Sequence, residues 1–105
     1  MTAIVVFITS ANRQEAEKIA RLLVEEKLAA CVQIVPEIIS FYRWQKEIIA
    51  DKEILLLCKT TAENFAELEK TVRANHSYEV PEIIAVPAAL CSRPYLNWLQ
   101  ESVVK

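Results

Sequence analysis

The chain of 105 residues contains no glycine, where average usage of about 7% would supply roughly seven. That absence excludes whole classes of function. A Walker A loop and a dinucleotide-binding fingerprint both need glycine where the backbone closes on phosphate. The nucleophile elbow G-x-S-x-G is excluded for the same reason. Every turn must be built from Asn, Asp, Ser, Pro or a longer loop. Histidine is nearly as scarce, with His76 alone. No Ser or Cys is tied to it by motif, so no nucleophile–base pair can be read and the chain is expected not to be an enzyme.

Cysteine is sparse as well. Cys31, Cys58 and Cys91 form no C-x-x-C pair, so neither a zinc knuckle nor a thioredoxin-type dithiol is present. Each lies in an apolar stretch and is expected as a buried, reduced thiol. Charge of one sign is missing too: 12 basic residues face 14 acidic ones, a net −2. The basic footprint of nucleic-acid or anionic-membrane binding is therefore absent. The longest apolar runs, such as IIAVPAALC at 83–91, fall short of the roughly 18–20 residues of a membrane span. No basic segment precedes AIVVFI as a secretory signal would require. A soluble cytoplasmic protein is expected.

What the chain does have is apolar residues, 53% of the total. That is more than a lone small domain easily hides, and it points to subunit association. The length fits one domain spanning 1–105. AIVVFIT (3–9) reads as a strand covered on both faces. Asn12 with Glu15 forms a capping-box signal. Behind it Ala16, Ile19, Ala20 and Leu23 recur at helical spacing, predicting a helix to about Lys27. Residues 28–44 and 47–60 read as two long strands, with Pro36 marking a bulge or an edge. WQKE between them is a hairpin tip without the usual turn residues. Thr60 or Thr61 caps a second helix carrying Phe65, Leu68 and Val72 on one face, Thr60 with Glu63 repeating the capping-box signal, with Asn75 as a left-handed stop. Residues 82–90 read as a fourth strand, and Ser92 with Pro94 opens a last helix.

The order β-α-β-β-α-β with a C-terminal helix is the ferredoxin-like α+β sandwich. Its central hairpin is longer than such a domain needs, and long strand edges invite pairing with another chain. An RNA-recognition domain has the same order, but its third strand carries stacking aromatics. EILLLCKT (53–60) has none.

Several segments together resemble one known family. LAACVQIVP (28–36), SFYRWQKEI (40–48), LLLCKT (55–60), HSYEVPEIIAVP (76–87) and YLNWL (95–99) are similar to the CutA divalent-cation tolerance proteins, in order and over nearly the whole chain. The resemblance implies a homotrimer similar in architecture to the PII signalling proteins, with a link to copper and other divalent metals. It also implies a copper site in some members, built from a cysteine on the first strand and two adjacent histidines. Those positions fall here on Ile8, Asn75 and His76, so only the last keeps its ligand. Elsewhere Gln33 replaces Asn, Glu37 and Gln45 replace Gly, and Ser77 replaces Pro.

His76 and Glu82 are accordingly the candidate metal ligands, since imidazole and carboxylate can share an ion. The competing role for His76 is structural, at the end of the second helix, and the missing ligands favour it. Tyr42, Trp44, Tyr78 and Glu79 are the candidate lining of a ligand cleft. Trp44 is expected at a subunit interface or cleft, and Trp98 in the core. Two functions compete. One is weak binding of copper or another divalent cation at intersubunit clefts, with no cofactor required. The other is a PII-like small-ligand sensor or interaction scaffold in which metal binding is incidental.

Overall fold

The computed structural model describes residues 2–105. Four strands form one antiparallel sheet in the order β2-β3-β1-β4: β1 is Ala3–Ser10, β2 Cys31–Trp44, β3 Glu47–Thr61 and β4 Ile83–Pro87. Helices α1 (Arg13–Glu25) and α2 (Phe65–Asn75) cross between strands, and α3 (Arg93–Ser102) closes the chain. This is the expected ferredoxin-like arrangement.

Strand alternation sorts the side chains. Ile4, Val6 and Ile8 of β1 and Ile54, Leu56 and Cys58 of β3 point to the helices. There they pack with Ala16, Ile19 and Leu23 of α1 and Leu68 and Val72 of α2. Burial pushes the Cys58 thiol up to about 12, with smaller effects from Cys31 and Lys59, so it is an inert core group. Cys31 is half-buried and Cys91 exposed, which corrects the expectation that all three thiols are buried. Ala3, Ala30, Leu99 and Val103 form a small second core where α3 covers one end of the opposite face. Among the described residues no helix covers the rest of that face. Leu57, Phe7 and Ile84 lie side by side across β3, β1 and β4 in register.

Pro36 sits in the bulge between Val35 and Ile38. Two β2 residues there oppose one β3 residue, so the inside–outside phase of β2 reverses. Before the bulge Gln33 and Val35 share the open face with Leu57 and Leu55; beyond it Ile38, Ser40, Tyr42 and Trp44 do, opposite Glu53, Asp51, Ile49 and Glu47. The hairpin then runs past the helices. The molecule measures 45 × 26 × 23 Å with a radius of gyration of 14.2 Å, above the roughly 13 Å of a compact chain of this size.

The turns show how a chain without glycine manages its corners. Gln45 and Lys46 both take positive φ, 49° and 69°, which makes the hairpin tip a two-residue turn of the primed kind. Helix α1 stops at Glu25, not Lys27. Lys27 has φ 58°, the Leu28 amide donates to the Leu23 carbonyl at 2.9 Å, and the Lys27 amide donates to Val24 at 3.1 Å. That is a Schellman stop with lysine in the position glycine usually holds. Holding an L-residue there costs about 1–2 kcal/mol. Lys27→Gly is expected to stabilise the protein by about 1 kcal/mol, read as a higher denaturant midpoint at unchanged slope.

Two helix signals need correction. Thr60 does not cap α2; it lies within β3, and its hydroxyl donates to the Leu28 carbonyl at 2.7 Å, while Thr61 precedes the next turn without a side-chain cap bond. A short 3-10 turn, Ala62–Asn64, comes first, and α2 begins at Phe65. Asn75 is the last helical residue and is not left-handed; its side-chain amide donates to the Thr71 carbonyl at 2.8 Å. Trp98 is not in the core either. It stands 46% exposed on α3, tilted against Tyr95 at 5.4 Å.

Candidate functional site

The site begins where α2 ends. His76 takes extended backbone angles, φ −103° and ψ 142°, and its side chain has no exposed surface. Nε2 lies 2.7 Å from the Thr9 carbonyl oxygen, and Nδ1 accepts the Tyr78 amide at 3.0 Å. A carbonyl can only accept and an amide can only donate, so the network assigns the neutral tautomer with its proton on Nε2. Both ring nitrogens are engaged.

Glu15 backs this arrangement. Asn12 caps α1 as expected, accepting the Glu15 amide at 2.8 Å. The Glu15 carboxylate does not return to the cap. Instead it accepts the Ser10 hydroxyl at 2.7 Å and the Ser77 amide at 2.8 Å, with Oε2 3.7 Å from His76 Nδ1. Burial pushes its pKa up, but the hydrogen bonds from Ser10 and Ser77 outweigh this and hold it below the ordinary value. The end of β1, the start of α1 and the 76–78 turn are thereby joined.

Tyr78 carries the connection onward. Its ring tilts against His76 at 4.8 Å, and its hydroxyl donates to Glu53 Oε2 at 2.9 Å. Glu53 is only 8% exposed and lies on the open face opposite Ile38, beside the bulge. Burial, then the hydrogen bond to Glu53, push the Tyr78 phenol well above the usual range, so it is a donor at all working pH values. Glu82 is raised too, first by burial and then by the charge of Glu53. Among the described residues neither carboxylate has a basic side chain in salt-bridge range. Tyr42, on the same face, donates to Asp51.

The structure therefore groups Tyr78 and Glu82 around Glu53, with Tyr42 and Asp51 farther out along the hairpin. Trp44 stands apart at the hairpin tip, 60% exposed. Glu79 turns instead to a groove beside α2, which Tyr78 also borders. Sequence reasoning missed Glu15 and Glu53. For Glu53 the signal was available: it is in phase with Leu55 and Leu57, and a charge in step with an apolar strand face needs a partner. For Glu15 no signal existed, because its partner Ser77 lies 62 positions away.

Comparison with known proteins agrees with this fold. The profile of the CutA1 divalent ion tolerance protein family matches residues 4–102. The divalent-cation tolerance protein CutA of Thermus thermophilus is 53% identical over 98 residues, covering 93% of this chain and 95% of that protein. A chloroplastic CutA of Arabidopsis thaliana is 47% identical over 100 residues, covering 95% of this chain but 55% of that protein, so the chain spans about half the plant relative. The crystal structure of CutA1 from Oryza sativa superimposes with a TM-score of 0.96 at 41% identity, covering 100% of this chain and 96% of that one.

Proposed function

Because the chain belongs to the CutA1 divalent ion tolerance family, we propose that it binds a divalent cation weakly, with Glu82 and Glu53 as ligands, in a homotrimer of its own copies. The observation that carries this is the unpaired acidic pair. Glu82 is held up by burial and by the charge of Glu53, and a divalent ion relieves that repulsion as a proton does. The Tyr78 hydroxyl occupies one oxygen of Glu53 and leaves the other free to ligate.

The donors of one chain fit a cation only in part. The described residues hold no group of three or more His, Cys, Asp or Glu side chains placed for a metal. Water or another copy must complete the shell, which keeps the affinity low. His76 contributes a nitrogen only by giving up the Tyr78 amide or the Thr9 carbonyl. Copper(II), which favours imidazole, therefore gains less here than at a free histidine. With both ring nitrogens engaged, His76 is also a poor general base, in keeping with a binding scaffold and not an enzyme. Its three free thiols suit the reducing cytoplasm, and no helix among the described residues is long and apolar enough to cross a membrane.

Calorimetric titration with Cu(II) and with Mg(II) tests the ligands. Glu82→Gln is expected to weaken binding roughly tenfold, the size of one charged contact. The affinity of the wild type should rise with pH above the ordinary carboxylate value of 4.5, because the raised Glu82 must first lose its proton. Equal affinity in wild type and variant would remove Glu82 from the site.

A further inference from the structure

Two adjoining cavities run between α2 and the segment that follows it. The first, about 510 Å3, is walled by Glu69, Lys70, Arg73, Ala74, Tyr78 and Glu79. The second, about 290 Å3, shares Glu69, Arg73 and Glu79 and continues over Val80, Pro81 and Ile83. Together they form one groove with a charged end and an apolar end. Neither Glu53 nor Glu82 lines it.

The charges along this groove are left open. On α1, Arg13–Glu17 and Arg21–Glu25 pair at four-residue spacing, 2.8 and 3.7 Å apart. Glu69 and Arg73 have the same spacing in the more favourable order, acid before base. Yet among the described residues neither they, nor Lys70, nor Glu79 form an ion pair with one another. At the other end Val80 stands 86% exposed in the single chain, an apolar side chain with no described residue of its own chain over it.

Two cations and two carboxylates around one concavity suit a ligand that carries both charges. A plain anion would meet Glu69 and Glu79, and a plain cation would meet Lys70 and Arg73; each would lose by repulsion what it gained by attraction. An apolar extension on the ligand would cover Val80, Pro81 and Ile83. We propose that this groove binds a free α-amino acid with an apolar or aromatic side chain. Its carboxylate sits between Arg73 and Lys70, its ammonium between Glu79 and Glu69, and its side chain over Val80. The first cavity, about 510 Å3, lies within the range of ligand sites, roughly 300–1,000 Å3, and has room for a single amino acid.

The test is a nitrogen–proton NMR titration of the full chain with L-phenylalanine, in EDTA, up to about 20 mM to cover a Kd on the order of 1 mM. Saturable shifts are expected at the amides of Arg73, Ala74, Glu79 and Val80. Arg73→Gln and Glu79→Gln should each weaken binding roughly tenfold. So should replacing the ligand by 3-phenylpropionate, which lacks the ammonium, or by N-acetyl-phenylalanine amide, which lacks both charges. No saturable shift would overturn the assignment. So would shifts that survive both substitutions, or 3-phenylpropionate binding as well as phenylalanine, which would make the groove a plain anion site. Because EDTA removes divalent cations, the outcome is independent of the Glu53–Glu82 site, and Glu82→Gln should bind phenylalanine as the wild type does.

Discussion

Ile84→Glu is expected to leave the chain folded while converting the proposed homotrimer to 12.0 kDa monomers. Ile84 points away from the helices and is 57% exposed in the single chain. It ends the apolar row Leu57–Phe7–Ile84 across three strands. In the homotrimer proposed above, this exposed apolar row is the contact surface. A carboxylate placed there costs the monomer little, because it stays in water. In an assembly that buries this face the same charge loses its hydration without gaining a partner, at several kcal/mol per interface. Light scattering should give a mass of three chains for the wild type and of one for the variant, with unchanged far-ultraviolet circular dichroism. A wild-type protein that is itself monomeric, or an Ile84→Glu variant that stays assembled, would show that the open face is not the contact.

His76→Ala is expected to have the largest effect on stability of any polar substitution in the chain. The side chain has no exposed surface, and its loss leaves a cavity together with a Thr9 carbonyl and a Tyr78 amide without partners. Each orphaned group costs about 1–3 kcal/mol, so a total loss near 3 kcal/mol is conservative. For a domain of this size that lowers Tm by more than about 10 °C, compared at equal protein concentration. The acid limb of stability should change as well. The pKa of Glu15 is lowered in the fold, so its contribution is complete above the ordinary carboxylate value and fades as pH falls through the lowered one. Without His76 the 76–78 turn loses its anchor, so the Ser77 amide that helps hold Glu15 down is no longer fixed in place. The variant should therefore lose less additional stability on acidification than the wild type. A Tm within 3 °C of wild type, an interval of roughly half a kcal/mol, would mean that the 76–78 turn is held by something other than this ring.

The two substitutions probe features that differ in how far they can be read from the chain. The β-α-β-β-α-β order follows from local pattern alone: β-branched runs, Asn12 before Glu15, and the spacing of Ala16, Ile19 and Leu23. The bulge at Pro36 is also local, because proline has no amide to give to the ladder. Signals that rest on one residue type fared worse. Thr60 with Glu63 matches a capping box, but the Thr60 hydroxyl was drawn to Leu28, 32 positions away. Asn75 looked like a left-handed stop, while the left-handed positions fell on Lys27, Gln45 and Lys46, residues that no turn rule favours. Packing on either side of those corners outweighed the local preference by more than the 1–2 kcal/mol it costs.

The segment His76–Glu82 shows the same division at the site. Its residue types and spacing pointed to the family and named His76 and Glu82 as polar groups of interest. Composition alone removed glycine-dependent phosphate loops, dithiols and a basic surface. Which atoms of those side chains are available is a different matter. A ring nitrogen is free or engaged according to what the end of β1 places beside it. Glu53 joins Glu82 because the sheet register brings it under Tyr78. Sequence by itself determined the order of elements and the inventory of donors, since both depend on neighbours along the chain. Only the tertiary structure decided that His76 is spent on Thr9 and Tyr78 while Glu53 and Glu82 share unpaired charge, because hydrogen bonding and desolvation depend on neighbours in space.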